Sequence, residues 1–385
     1  MRRIVLMLCA VLVTIPMLAQ IRITTPNTEL LLKGEKGGEL QILHYGSRLS
    51  DSDMNVIEDG GTPNHNAYPS YGLWPSSEAA FAVTHFDGNM STVMRIEDVS
   101  SVSEKGAVVT RIRMKDSVYP MYVTVCYRAY CDVDMIETWA EIENLEKKPV
   151  LLTRFDSGYM PLRRGDVWIS HLHGSWANES RLVQERLEPG MMVIKNKDGV
   201  RNSHTDHAEV MFSLDGPPQE SIGRVVGAAL CYGGNYQLRI DTRDSDWHQF
   251  YAGINPDNSS YVLAPREIFV TPELAFTYSS DGVGGASRNF HKWARNHKIA
   301  HGDVPRKILL NSWEGVYFDI NESGMDQMMS DIASMGGELF VMDDGWFGDK
   351  YQRLSDNSSL GDWVVDRKKL PNGISWLVKQ ADSHG

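Results

Sequence analysis

Two adjacent aspartates, Asp343 and Asp344, follow an apolar run in the string GELFVMDDGWFG, residues 337–348. Carboxylates at the tip of a buried strand are costly unless a ligand or a partner uses them. Trp313 ends an earlier apolar run in the same way. An indole offers an apolar platform to the face of a sugar ring, and paired carboxylates accept hydrogen bonds from its hydroxyls. These residue types favour a sugar-binding site, with a capped turn or a divalent-metal site as the alternatives.

The elements that must position these residues alternate between strand and helix. The sequence predicts a strand over 307–313, an amphipathic helix over 323–336, a strand over 337–344 and another helix from 373. Continuously apolar strands that alternate with helices are typical of a parallel sheet or barrel covered by helices. In a (β/α)₈ barrel the carboxyl ends of the strands line the active site, so Trp313 and the two aspartates should lie at one rim.

The preceding part of the chain has a different pattern. Short alternating or β-branched apolar runs, separated by Asp-Gly and Gly-Gly turn signals, extend from about Ile21 to Asp281. This pattern predicts a large antiparallel β-sandwich. The clearest strands are 108–115, 121–131, 135–144, 149–156, 224–232 and 236–242. We therefore divide the chain into a signal peptide at 1–19, a β-sandwich at 20–285, a linker helix at 286–304 and the start of a barrel at 305–385.

The N-terminal segment MRRIVLMLCAVLVTIPMLAQ has a basic head, an apolar core of about 15 residues and the small residue Ala19, as secretory signals do. We expect an exported, periplasmic or secreted protein that does not bind a membrane once the signal is cleaved. Without residues 1–19, which hold two arginines, 36 basic residues face 50 acidic ones. That acidity argues against a nucleic-acid partner. The remaining cysteines, Cys126, Cys131 and Cys231, are interpreted as buried thiols.

Four histidines could suggest a metal site. His171 and His173 lie two apart on one predicted strand face, and His204 and His207 follow later. No cysteine or acidic residue completes a ligand set at a recognisable spacing, so sheet-surface or packing roles are favoured over a metal site. We expect neither a metal nor an organic cofactor.

Several strings are together similar to a known family. The chain resembles the α-galactosidases of glycoside hydrolase family 36, and DDGWFG followed by SSLGDW and KLPNG is the most specific part of the resemblance. The other matching segments are 171–191, 202–212, 251–256, 263–287 and 309–320.

The resemblance implies a multi-domain fold: a large antiparallel β-supersandwich, followed here by the first two βα units of an incomplete (β/α)₈ TIM barrel. It implies a retaining exo-hydrolase that releases terminal α-linked galactose from oligosaccharides or galactomannan, with a homotetramer as the usual full-length assembly. Trp313, Asp343 and Asp344 match the positions that hold galactose in this family. Trp346 is a further candidate for substrate binding. Asp362 and Trp363 either shape the rim of the pocket or hold a long loop in place.

The resemblance does not supply the catalytic groups. Retaining glycosidases need two carboxyl groups about 5 Å apart on either side of the scissile bond, and neighbouring residues cannot bracket it. The family nucleophile lies in a Lys-Trp-Asp string that is absent from these residues. From Arg306 onward there are 80 residues, against about 250 for a typical barrel. We therefore expect the nucleophile and the acid/base beyond residue 385, so that this chain alone is an inactive fragment. The alternatives are a non-catalytic carbohydrate-binding or assembly protein and an α-N-acetylgalactosaminidase.

Overall fold

The computed structural model describes residues 20–59, 66–72, 78–200, 205–242 and 247–385. The predicted signal peptide and His204 lie outside these residues. The chain divides into two compact units between Ile299 and Ala300. Within the described ranges, no helix combines the length and the apolar character that crossing a membrane requires.

The first unit consists mainly of antiparallel strands. They are β1 Gln20–Thr24, β2 Thr28–Lys33, β3 Gln41–Ser47, β4 Phe81–Thr84, β5 Met94–Glu104, β6 Ala107–Asp116, β7 Met121–Tyr130, β8 Met135–Asn144, β9 Val150–Arg164, β10 Trp168–Ser175, β11 Asn178–Arg186, β12 Gly190–Lys195, β13 Asp206–Ser213, β14 Val225–Leu230, β15 Tyr236–Thr242, β16 Trp247–Ile254, β17 Tyr261–Leu263, β18 Ile268–Val270 and β19 Leu274–Ser279. Two helices accompany them, α1 Asp51–Asp59 and α2 Gly282–Trp293, and α2 continues into a π-helical turn, Ala294–Lys298.

These strands form three sheets around one core. Ten strands form the largest sheet, six form a second and β1 to β3 form a third. Alternate side chains of all three sheets enter one hydrophobic cluster, because successive residues of a strand point to opposite faces. Its largest fully buried members include Tyr68, Phe81, Phe212, Tyr236, Phe250, Tyr251 and Phe276. The antiparallel β-sandwich expected from the sequence is confirmed.

The outer face of the ten-stranded sheet carries ion pairs that span three strands. Arg111 of β6 donates to Glu141 of β8 at 2.7 Å, and Arg113 donates to Glu143 at 2.8 Å. Both pairs cross β7, where the guanidinium of Arg113 lies 4.1 Å from the centre of the Tyr122 ring. Since these side chains are partly exposed, each pair is worth about 0.2–1 kcal/mol.

A buried carboxylate joins the last helix of the first unit to the sheet. Glu137 of β8 is fully buried, and its Oε1 accepts hydrogen bonds from Tyr130 Oη at 2.8 Å and Trp293 Nε1 at 3.0 Å. Lys298 Nζ lies 2.6 Å from the same oxygen, and Arg128 donates to Oε2 at 2.5 Å. Two cations and two neutral donors compensate the buried charge, so the end of α2 and the π-helical turn are fixed to the sheet.

The second unit is small and contains parallel pairing. Strand β20, Leu309–Asn311, pairs in parallel with β21, Leu339–Val341. The helices are α3 Trp313–Val316, α4 Glu322–Ser334 and α5 Ile374–His384. Asn321 caps α4 by accepting a hydrogen bond from Gly324 N. Met325 and Met329, four residues apart on one face of α4, are buried in a cluster with Ile320, Leu370 and Leu377.

The strand–helix alternation of this unit follows the sequence prediction, but both strands are shorter than predicted. The predicted strands 307–313 and 337–344 reduce to three paired residues each. Trp313 therefore does not end its strand: Asn311 Oδ1 accepts a hydrogen bond from Trp313 N at 2.7 Å and turns the chain into α3. Side-chain capping by asparagine competes with continued strand pairing at this point.

Two of the three cysteine interpretations were wrong. Cys126 is buried beneath the charged face of the ten-stranded sheet, as expected, and burial raises the pKa of its thiol to about 12. Cys131 and Cys231 are exposed residues. Cys131 directly follows the last residue of β7, and Cys231 follows the last residue of β14, so both lie where strands reach the surface.

Candidate functional site

A single asparagine links the two strand tips of the second unit. Asn311, the last residue of β20, donates from Nδ2 to Asp343 Oδ2 at 2.7 Å, while its Oδ1 caps the backbone of Trp313. The buried Ser312 adds a second link, because its Oγ accepts a hydrogen bond from Asp343 N at 3.0 Å. The structure thus brings Trp313 and Asp343 to one edge of the parallel strand pair, as the sequence predicted.

Asp344 faces a different partner. Arg353 forms a bidentate ion pair with it, from Nε to Oδ1 at 3.0 Å and from a terminal nitrogen to Oδ2 at 2.7 Å. Gly345 N also donates to Oδ1, at 2.6 Å. The hydrogen bonds from Arg353 lower the pKa of the Asp344 carboxyl below its ordinary value, despite the opposing effect of partial burial. Asp344 is therefore a fixed, ionised hydrogen-bond acceptor.

A lysine ammonium joins the loops around these carboxylates. Lys369 Nζ donates to three backbone carbonyls: Phe318 at 2.7 Å, Gly345 at 2.8 Å and Arg353 at 3.0 Å. Gly345 has a φ of 98°, and a Cβ at this position would lie 2.9 Å from the Cα of Phe318. The loops that follow β20 and β21 thus pack backbone against backbone, which only glycine permits at this position.

Trp313 lies among aromatic rings that follow it in the chain. Its ring centre is 5.2 Å from that of Tyr317 and 4.9 Å from that of Phe318, both in edge-to-face geometry. Tyr317 ends α3 with a φ of 47°, a conformation that costs a non-glycine residue about 1–3 kcal/mol. Backbone strain of this kind clusters at functional sites, where the surrounding structure holds it in place.

Trp346, the further candidate for substrate binding, belongs to a neighbouring aromatic cluster. It is half-buried against the core of the second unit, and its ring stacks on Trp363 with 6.5 Å between centres. Both rings pack on the buried Phe347. Asp362 Oδ2 accepts a hydrogen bond from Asp349 N at 3.2 Å, so Asp362 holds the long loop after β21, one of the two roles considered for it.

Three residues of this site were missed by the sequence analysis: Asn311, Arg353 and Lys369. Arg353 is only 3% exposed although it lies in a loop, and no periodicity distinguishes it from a solvated arginine. Lys369 stands in the KLPNG string, which was used only as part of the family resemblance. The one available signal was electrostatic, because two adjacent carboxylates at the end of a strand favour a nearby cation.

Two of the candidate histidines contact carboxylates, whereas His171 is buried, with Glu185 Oε1 3.5 Å from its Nε2. His173 Nδ1 lies 3.0 Å from Asp206 Oδ1, and His207 Nδ1 lies 3.1 Å from Glu209 Oε1. Over the residues that the structure describes, no group of three or more histidine, cysteine and acidic side chains could hold a metal ion. The contacts of His173 and His207 are those of partly exposed histidines with neighbouring carboxylates on the sheet.

Comparison with protein families gives matches over most of the chain. The family model described as "Glycosyl hydrolase family 36 N-terminal domain" matches residues 38–264. A second model, "Melibiase", matches residues 268–385. The first match alone covers more than half of the chain.

Individual relatives agree with these family matches. Probable alpha-galactosidase C of Aspergillus flavus is 33% identical over 326 residues, which are 84% of this chain and 41% of that protein. Alpha-galactosidase AgaA of Geobacillus stearothermophilus is 34% identical over 286 residues, or 73% of this chain and 38% of that protein. The chain thus spans less than half the length of these two relatives.

A solved structure extends the likeness to three dimensions. A variant of the GH36 alpha-galactosidase AgaA of Geobacillus stearothermophilus, in complex with stachyose, has a TM-score of 0.86 and 27% identity. The match covers 95% of this chain and 55% of that one. A β-sandwich followed by the start of a barrel is therefore the shared architecture.

Proposed function

The chain belongs to glycoside hydrolase family 36, and from that membership we propose that it serves the hydrolysis of α-galactosides, with Trp313, Asp343 and Asp344 holding the terminal galactose. The family relationship supports the reaction class. The assignment of these three residues rests on the chemistry of the second unit.

The observation that carries the proposal is the acceptor balance of the two aspartates. Two ionised carboxylates offer about eight lone-pair positions. In the part of the chain that the structure describes, protein donors use five: one from Asn311 and one from Asp344 N on Asp343, and two from Arg353 and one from Gly345 N on Asp344. Three acceptor positions remain for other donors, and Trp313 is half-buried at the same edge of the strand pair. A ligand with several hydroxyl donors, such as a sugar, can satisfy these positions.

Charge favours a sugar over the metal-site alternative. Arg353 compensates one of the two carboxylate charges, so the group carries a net charge of about −1 rather than −2. A divalent cation would have to approach a fixed guanidinium, whereas a neutral polyol pays no such penalty.

The same geometry argues that these aspartates bind the sugar and do not cleave its bond. A general acid must be protonated near its working pH, but the pKa of Asp344 is lowered by Arg353. Adjacent side chains also flank one side of a ligand instead of bracketing a scissile bond. We therefore propose a binding role for the pair, with galactose-bearing oligosaccharides of the raffinose or stachyose type as substrates. Relatives crystallised with those sugars support this substrate class.

Galactose binding by purified protein tests the proposal. Saturation-transfer NMR should detect D-galactose at neutral pH, and Trp313→Ala and Asp343→Asn should each weaken binding at least about tenfold, as loss of a ring platform or a charged acceptor does. Trp176→Ala is the matched control, because Trp176 is 80% exposed in the first unit. Binding that survives both site variants would refute the assignment.

Turnover separates the remaining alternatives. Protein from the complete reading frame should hydrolyse an aryl α-galactoside, and faster hydrolysis of the N-acetylgalactosaminide would change the sugar assigned. Binding without any turnover would favour the non-catalytic carbohydrate-binding protein.

We also propose export, supported by the leader-like residues 1–19, and N-terminal sequencing of secreted protein would test it.

A further inference from the structure

We propose that Arg353 is a positioning residue of the galactose site, which holds Asp344 in one orientation through its guanidinium fork. The inference rests on the proposed function, because it assigns a role in that same site to a residue that none of the family matches identifies. Arg353 comes nine residues after Asp344 and belongs to the long loop after β21.

Arg353 fixes both oxygens of Asp344. Nε and a terminal nitrogen donate to different carboxylate oxygens, so rotation of the carboxylate would break two charged hydrogen bonds at once. A lysine at this position could supply the charge but not the planar fork. The orientation of Asp344, and with it the direction of its remaining acceptor position, therefore depends on an arginine.

Arg353 is itself held on several sides. Its other terminal nitrogen donates to Ser358 O at 2.8 Å, and its carbonyl oxygen accepts from Lys369 Nζ at 3.0 Å. The guanidinium carbon lies 5.4 Å and 5.7 Å from the ring centres of Phe318 and Phe347. A side chain fixed by hydrogen bonds and two rings can transmit a definite geometry, whereas a solvated arginine cannot.

A purely structural ion pair would respond to replacement of Arg353 differently from a positioning one. If Arg353 only anchored its loop, its replacement would change stability without changing how the site responds to pH. If it positions Asp344 and keeps it ionised, replacement by a neutral residue should raise the pH below which galactose binding is lost, which is the acid limb of the pH profile. An adjacent arginine lowers a carboxyl pKa by about 1–3 units.

The test measures D-galactose binding between pH 3.5 and 7 in Arg353→Gln and Arg353→Lys. We expect the glutamine variant to lose binding about one pH unit higher than the unmodified protein. The lysine variant should keep the acid limb in place but bind about tenfold more weakly at pH 7, because it retains the charge and loses the fork. Arg367→Gln is the control: this exposed arginine donates to Pro371 O, at 3.4 Å, and its replacement should change neither value.

A direct titration keeps the two proposals distinguishable. NMR of the Asp344 side-chain carboxyl carbon should show a higher pKa in Arg353→Gln than in the unmodified protein, with or without sugar. An unchanged pKa together with unchanged binding would overturn the role of Arg353. Absence of galactose binding to the unmodified protein would instead overturn the proposed function, and the carboxyl titration would still decide for or against Arg353. If the glutamine variant fails to fold, the lysine variant decides: unchanged affinity at pH 7 overturns the proposal.

Discussion

Replacing Glu137 with glutamine should destabilise the first unit by about 2–3 kcal/mol. The buried carboxylate accepts charged hydrogen bonds from Arg128 and Lys298, and such bonds contribute about 1.5–3 kcal/mol each. Removing one partner of a buried ion pair costs about 3–5 kcal/mol when the other charge is left alone. Here both cations keep Glu273 as a partner, each at 2.6 Å, and both are partly exposed, so the smaller figure applies.

Equilibrium urea unfolding, followed by circular dichroism of the β-sheet signal, measures this loss. The midpoint should fall without a change in slope, because the surface exposed on unfolding stays the same. Glu104→Gln is the matched control. It removes another carboxylate from Arg128, but at 3.6 Å and with Glu104 49% exposed, so the expected loss is under about 0.5 kcal/mol. Equal losses of unfolding free energy in the two variants would refute the claim that burial makes the contribution of Glu137 larger than that of an exposed carboxylate.

Other perturbations test the second unit and the thiols. Gly345→Ala should destabilise the protein by more than about 2 kcal/mol and abolish galactose binding. Gly336, the control, also has a positive φ, but a Cβ there would meet open space. Gly336→Ala should therefore cost only about 1 kcal/mol in thermal or urea unfolding. Lys369→Met should cost about 2 kcal/mol and weaken galactose binding, because three backbone carbonyls lose their donor; retained stability and affinity would contradict this. At pH 8, Cys131 should react with iodoacetamide well before Cys126, because burial raises the pKa of the Cys126 thiol to about 12. Peptide mass spectrometry would measure the two rates, and equal rates would contradict the assigned burial.

The strands of the sandwich could be predicted because one physical signal dominates there. In β8 the predicted range 135–144 is the observed one, and the range predicted for β6, 108–115, differs by one residue at each end. Alternation of apolar and polar residues reports which side of a sheet is buried, so it marks the strand wherever one face meets the core.

The edge of the second unit could be predicted only in outline. The sequence indicated that Trp313 and the aspartates follow neighbouring strands, and the structure brings Trp313 and Asp343 together through Asn311. The first strand of this unit was predicted too long because asparagine capping is a local competition that periodicity does not detect. Arg353 could not be found for a related reason: its burial depends on loop packing, and a charged loop residue ordinarily indicates solvent.

The charged pairs across β6, β7 and β8 have a consequence for how those strands find their alignment. Sliding β6 by two residues relative to β8 keeps every apolar side chain on its proper face, so burial alone hardly penalises that error in register. The native pairs are Arg111–Glu141 and Arg113–Glu143. After the slip, only one of the two arginines would face a glutamate, and that glutamate would be the one from the other pair. Each lost pair is worth no more than about 1 kcal/mol, yet that is about a fivefold preference for the correct pairing. The ion pairs on the polar face of the sheet therefore favour the correct register, which burial of the apolar face does not distinguish. High salt should weaken this preference because it screens the charges.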